Sequence, residues 1–144
     1  MTLRFSKPHA IGLAVTVAVV AAVWLALRIP DQPPGQRDDI YARQVAILAP
    51  SVSAAQSMMA GGVVYFNGTL DNRGSRALTG FIVELTFTDM DGKPIERARR
   101  VLLDGRQRPV PAHGTRNFEI GFDKVPAGWN QAPPTPRPVA VYVK

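Results

Sequence analysis

Two kinds of apolar pattern divide the chain. Residues 8–27 carry no formally charged side chain and would be apolar on every side of a helix, whereas short segments from Gly62 onward alternate apolar and polar residues. A hydrocarbon core about 30 Å thick takes about 20 helical residues, so the first pattern predicts a transmembrane helix. The second pattern has a period of two and predicts β-strands with one buried face.

The alternating segments predict an all-β fold, an immunoglobulin-like antiparallel sandwich in the region 44–144. Strands are expected over residues 63–70, 81–88, 94–103, 117–122 and 139–143. Turns are expected at 71–74, 89–92 and 111–114, where Gly or Asn permits a positive φ. The predicted core consists of the apolar residues that share one strand face: Phe81, Val83, Leu85, Phe87, Phe118, Ile120 and Phe122.

The apolar segment 8–29 is interpreted as an uncleaved anchor. A cleaved signal peptide is the alternative, but no Ala-x-Ala pair lies between Ala10 and Arg28, and the apolar run is longer than the usual hydrophobic region of a signal peptide. Trp24 falls near the end of the span, where an indole favours the membrane interface. The short basic N-terminus, residues 1–7, is expected in the cytoplasm, which places the C-terminal domain in the periplasm or outside the cell.

A linker is expected between the membrane and the domain. Residues 30–43 include three prolines and a glycine, which stop the helix. Residues 38–48 fit a short helical turn, a strand, or one passing into the other, and the pattern does not separate these options.

Composition excludes several chemistries. The 144 residues include no cysteine, which rules out disulfides, thiolate metal sites and iron–sulfur clusters. The two histidines, His9 and His113, stand far apart in sequence, and no pair of them supports a metal site or a catalytic triad. No nucleophile–base pair and no glycine-rich phosphate loop is present, so we expect no catalytic residue, no cofactor and no small-molecule substrate.

Two short motifs have simpler structural explanations. Asp89 and Asp91 beside Gly92 resemble the start of a calcium loop but lack its remaining ligands, and a hairpin turn accounts for them. Asn67-Gly-Thr69 matches a glycosylation sequon but lies inside a strand pattern. The proline-rich residues 132–138 are expected to form a stiff loop before an edge strand, with docking on an aromatic groove as the alternative.

Arginine is the basic residue that stands out. The net charge is +6, with 13 arginines against 4 lysines. An interaction edge and a merely solvated face are both compatible with this pattern. Nucleic acid is disfavoured, because no aromatic side chains are interleaved with the arginines. The candidate contact residues are Arg97, Arg99, Arg100, Arg106, Arg108, Trp24 and Trp129.

The order of strand and turn motifs resembles that of FxLYD-type β-sandwich domains. The resemblance covers roughly residues 44–143, and its motifs are Gly68-Thr-Leu-Asp-Asn72, Val83-Glu-Leu-Thr-Phe-Thr-Asp89, Pro111-Ala-His-Gly114 and Trp129-Asn-Gln131. Such domains occur in bacterial surface and membrane proteins, including an uncharacterised family with one N-terminal anchor. Where many members have an acidic Gly-Glu turn, this chain has His113-Gly114. The resemblance implies a fold and no activity.

The sequence therefore favours a non-enzymatic accessory subunit of a bacterial inner membrane. Its single helix would pack in the bilayer against a larger integral complex, with respiratory and photosynthetic assemblies as plausible settings, and its periplasmic sandwich would brace that complex. Small residues along the span leave surfaces for close helix contact. The alternative is a free-standing anchored module that binds a protein or envelope ligand through its loops.

Overall fold

Residues 33–57 and 61–144 are the part of the chain that the computed structural model describes. The N-terminal residues 1–7, the predicted span 8–29 and Trp24 lie outside it. A 3₁₀-helix covers Asp39–Gln44. Seven strands follow the order β1 Gln36–Arg37, β2 Val45–Ser57, β3 Gly61–Asn72, β4 Leu78–Thr88, β5 Pro94–Leu103, β6 Thr115–Phe122 and β7 Thr135–Val143.

The strands form two antiparallel sheets that face each other. One sheet has the order β1-β7-β4-β5 and the other the order β2-β3-β6. Phe87 of the first sheet and Phe122 of the second meet edge-to-face, with ring centroids 5.4 Å apart. The all-β sandwich expected from the sequence is confirmed at this level, and the immunoglobulin-like topology stays a prediction.

The core is built from the alternation seen in the sequence. In β4, Phe81, Val83, Leu85 and Phe87 are buried, and from Ile82 onward the buried residues alternate with half-buried ones. Phe118 and Phe122 of β6 are also buried, and Ile120 packs partly buried against the same cluster. The sequence-based core prediction is therefore confirmed, and β3 and β7 complete the cluster with Phe66, Leu70, Val141 and Val143.

The described part of the expected linker belongs to the sandwich. The compact unit runs from Pro33 to Lys144. Pro33 is buried and occupies the space where a side chain at Gly80 would lie. The 3₁₀-helix buries Tyr41, and the Asp38 carboxylate caps it by accepting from the backbone N–H of Tyr41 at 3.2 Å. Prolines stop a helix, but a proline can also pack against a sheet, as Pro33 does here. The described part of the segment is therefore part of the domain and not a flexible spacer.

The strand directions give the sandwich two unlike ends. We call residues 33–45, 71–78, 103–116 and 143–144 the entry pole, because the described chain enters there. Backbone hydrogen bonds tie this pole together, from Asn72 to Gly114 at 2.9 Å and from Leu78 to Val110 at 2.8 Å. Residues 88–94 and 122–135 form the far pole, where Asn130 donates to the carbonyl of Thr88 at 3.0 Å.

Candidate interaction surface

The five arginines predicted as contact residues lie in three different places: the outer face of β5, its inner face, and the loop that follows it. Arg97 and Arg99 lie opposite Thr86 and Glu84, on the outer face of the β1-β7-β4-β5 sheet. Arg100 lies opposite the buried Val83, on the inner side.

Arg106 and Arg108 follow the strand in the loop of the entry pole. The structure therefore does not bring the five arginines into one patch, because neighbouring residues of a strand point to opposite faces.

Arg100 belongs to the rim of the core. Its guanidinium carbon lies 4.7 Å from the ring centroid of Phe122. Its Nη1 donates to the backbone carbonyl of Arg99 at 2.9 Å. A guanidinium over an aromatic ring gains a cation–π attraction, so Arg100 has a structural role in addition to its charge.

Sheet pairing adds a cation that the sequence analysis missed. Arg137 of β7 is the register partner of Glu84 from the side opposite to Arg99. Its Nη2 donates to Glu84 Oε1 at 3.2 Å. Glu84 thus has an arginine as register partner on each side, and its carboxylate pairs with the guanidinium of Arg137. We call Arg97, Arg99 and Arg137 the arginine face. Arg137 sits in the proline-rich segment, and only the long-range pairing of β7 with β4 reveals its place.

An apolar side chain borders the arginine face. Val101 pairs with Ile82 on the same outer side of the sheet, and 51% of Val101 is exposed. Arginines beside exposed aliphatic side chains are the composition that protein interfaces favour over lysine-rich surface.

The two edges of this sheet differ. β5 is the last strand on one side, and among the described residues no strand pairs with its outer edge. At the opposite edge, β7 is covered by the residues around β1. Asp38 donates its N–H to the carbonyl of Val141 at 2.9 Å, and Arg37 Nη2 donates to the carbonyl of Val139 at 3.3 Å. Open strand edges are docking surfaces, so β5 is the edge available to a partner.

Prolines cover the remaining part of the β7 edge. Pro136 and Pro138 pair in register with Leu85 and Val83 of β4. Proline has no N–H to offer a further strand and is tolerated at sheet edges. The proline-rich segment 132–138 is therefore a loop only up to residue 134. From Thr135 onward it belongs to β7.

Trp129 holds the loop between β6 and β7. Its ring meets that of Phe87 edge-to-face at 5.6 Å, and its Nε1 donates to the carbonyl of Ala132 at 3.1 Å. The next residue, Asn130, donates from Nδ2 to Thr88 Oγ1 at 3.1 Å. These contacts give Trp129 a packing role at the far pole.

A groove of about 410 Å³ opens beside Trp129. Its apolar lining includes Val52 of β2 and Val64 of β3, together with Val125, Pro126 and Trp129 of the loop between β6 and β7. Concave sites lined by apolar and aromatic side chains suit apolar ligands or peptide side chains.

The acidic turn 89–92 is a hairpin. Asp89 Oδ1 accepts from the backbone N–H groups of Asp91 and Lys93, each at 2.9 Å, and Gly92 adopts φ +78°. Across residues 33–57 and 61–144, no group of three or more His, Asp or Glu side chains is placed to hold a metal ion.

The other two motifs also have structural places. Asn67 of the sequon lies in β3 and donates to Ser53 Oγ at 3.0 Å. His113 is exposed in the turn 111–114 and adopts φ +57°. The positive φ of that turn falls on His113 rather than on the glycine that follows it.

Arg37 and Asp39 form an exposed pair at the entry pole. Arg37 Nε donates to the carboxylate of Asp39 at 3.0 Å, and the N–H of Val141 donates to Asp39 Oδ1 at 3.3 Å. The hydrogen bond from Arg37 is the main cause that lowers the pKa of Asp39 below its ordinary value. It likewise raises the pKa of Arg37.

No protein family, curated protein or solved structure matches the chain. In the part of the chain that is described, no helix is long and apolar enough to cross a membrane. The resemblance to FxLYD-type domains and the membrane span at 8–29 therefore stay predictions.

Proposed function

We propose that this chain is a non-enzymatic, membrane-anchored accessory subunit that braces a larger integral membrane complex. The observation that carries the proposal is the arginine face beside the open β5 edge. The apolar segment 8–29 supports the anchor, and the resemblance to anchored FxLYD-type domains supports the architecture.

The arginine face suits an acidic protein surface. Arg97 and Arg99 present planar guanidinium groups that bind carboxylates with two parallel hydrogen bonds. Hydrogen bonds to charged groups contribute roughly 1.5–3 kcal/mol each. A partner strand added to β5 would supply backbone hydrogen bonds in the same contact.

Co-migration in mild detergent tests this proposal. Native membranes carrying the wild-type chain should yield it in a stoichiometric large complex. The double variant Arg97→Ser/Arg99→Ser should dissociate from that complex at physiological salt. The matched control Lys93→Ser/Lys124→Ser removes the same charge from the far pole and should co-migrate like wild type. Full co-migration of the arginine variant would mean that the arginine face is only solvated.

Protease protection tests the anchor and its orientation. Protease added to spheroplasts should remove the sandwich and leave a small N-terminal fragment that contains residues 8–29. The expected orientation follows from the short basic N-terminus. A mature N-terminus near Arg28 would contradict the anchor and support a cleaved signal peptide.

The groove beside Trp129 favours a second candidate, an anchored module that binds an apolar ligand or peptide at the far pole. With Trp24 replaced by Phe, the emission of Trp129 alone reports on the groove. A binding module would migrate as a lone monomer in mild detergent and would show a saturable change in Trp129 emission with an apolar probe. Val125→Asp should abolish that change.

A further inference from the structure

Charge is segregated along the strand axis of the sandwich. The entry pole contains eight basic and four acidic side chains, a net charge of +4. The far pole contains two basic and three acidic side chains, a net charge of −1. The sequence spreads these residues over many segments, and only the topology gathers them at two ends.

Ion pairs account for part of the entry pole. Arg37 pairs with Asp39 at 2.8 Å, Arg73 with Asp71 at 2.8 Å, and Arg76 with Asp38 at 3.0 Å. The entry pole has one further carboxylate, that of Asp104, and five further basic residues: Arg43, Arg106, Arg108, Arg116 and Lys144. These additional basic residues give the entry pole its excess of positive charge.

The same pole exposes apolar side chains. Ile40, on the 3₁₀-helix three residues before Arg43, is 76% exposed. Pro111 and Ala112, on the loop that leads to β6, are exposed as well. Aliphatic side chains flanked by arginines are typical of surfaces that enter the headgroup region of a bilayer.

We propose that the entry pole docks on anionic lipid headgroups. The proposal rests on the anchor at 8–29 under Proposed function. Three residues separate Ile29 from Pro33, so the four Cα-to-Cα steps between them span at most about 14 Å. Only three residues therefore lie between the end of the proposed anchor and the first residue of this pole. Each basic side chain near an anionic surface contributes about 1 kcal/mol, or about a factor of five in affinity.

The chain is well suited to a direct test, because it contains no cysteine. Ala112 at the entry pole and Ala127 at the far pole are both exposed. The variants Ala112→Cys and Ala127→Cys therefore each carry a single accessible labelling site. The full-length variants, each with a fluorescent label, are placed in nanodiscs that carry a headgroup-attached quencher. The lipid is phosphatidylcholine alone or mixed with phosphatidylglycerol. Carbonate extraction of the same chains from membranes reports on the anchor separately.

We expect the label at residue 112 to be quenched in the anionic nanodiscs and the label at residue 127 to be unaffected. Quenching should fall in phosphatidylcholine alone and in molar salt, because salt screens exposed charges. Arg43→Ser/Arg108→Ser should weaken the docked state by more than about tenfold. The control Lys93→Ser/Lys124→Ser should leave it unchanged.

Three results would overturn the proposal. These are equal quenching at both labels, quenching at residue 112 that ignores lipid charge and salt, and no quenching at residue 112 in anionic lipid. The last result, together with carbonate-resistant anchoring, would assign the basic pole to an acidic protein partner and leave the anchor intact.

Discussion

The phenol oxygen of Tyr41 lies 2.9 Å from the side-chain oxygen of Asn72, and both side chains are buried. The same phenol accepts from the N–H of Arg76 at 3.1 Å. The Asn72 amide nitrogen lies within 3.2 Å of the carbonyls of Val110 and Pro111. Three separate segments of the entry pole are therefore joined by one polar pair.

We expect Asn72→Ala to lower the free energy of unfolding by at least about 3 kcal/mol, because it removes the five hydrogen bonds of the buried Asn72 side chain. Tyr41→Phe should cost about 1–3 kcal/mol, since it removes only the hydroxyl. Urea unfolding of the two variants measures both effects. Asn117→Ala is the matched control, since Asn117 is exposed and contacts Thr69. Equal stability of Asn72→Ala and Asn117→Ala would show that the pair contributes nothing.

Phe87→Ala should lower the melting temperature by more than about 10 °C. The side chain is buried and contacts the rings of Phe122 and Trp129. Its removal leaves a cavity between the sheets and typically costs about 3–5 kcal/mol. Met90→Ala, at a residue that is 84% exposed, serves as the control. A melting temperature within error of wild type would contradict the assigned core.

The three arginines of β5 should differ in their effect on stability. Arg100→Ser should lower the free energy of unfolding by about 0.5–2 kcal/mol, because it removes the contact with Phe122. Arg97→Ser and Arg99→Ser should each change it by less than about 0.5 kcal/mol, as is usual for surface positions. Denaturant unfolding distinguishes them, and a larger loss at Arg97 than at Arg100 would reverse the assigned faces.

Stability should depend on pH through Asp39. The hydrogen bond from Arg37 lowers the pKa of Asp39 in the folded state. The stabilisation is therefore present above the ordinary aspartate pKa of about 3.9 and is lost as the pH falls through the lowered folded value. Melting temperatures of wild type and Asp39→Asn should differ at neutral pH and converge in acid.

Arg37→Gln removes the other partner and should give the same convergence. A constant gap between wild type and Asp39→Asn at all pH values would mean that the Arg37–Asp39 pair does not contribute.

Local periodicity accounts for what the sequence analysis predicted correctly. The alternation in β4 and β6 depends only on neighbouring residues, so the strands and their buried faces could be predicted. The expected strand 94–103 agrees with β5, Pro94–Leu103. The same period of two places Arg99 and Arg100 on opposite faces of β5. The sequence analysis grouped the arginines into one cluster and did not use this signal.

What the sequence could not provide depends on long-range pairing. The contact between Glu84 and Arg137 spans 53 residues, and no local pattern predicts it. The turn at 71–74 shows the same limitation. Neither Asn72 nor Gly74 adopts a positive φ there. The turn requires Asn72 because its side-chain amide donates hydrogen bonds to backbone carbonyls. It requires Gly74 because the ring of Tyr41 fills the space that a side chain would occupy.

The pairing of Gln36 with Val143 brings both ends of the sandwich's chain path to the entry pole. A short peptide could therefore join residue 144 to residue 33, and new ends could be opened at the exposed Met90 of the far-pole hairpin. Such a circular permutant would keep every strand pair. In the anchored subunit proposed above, it would also move the attachment point from the basic end of the sandwich to the acidic one, reversing the direction in which the domain is tethered.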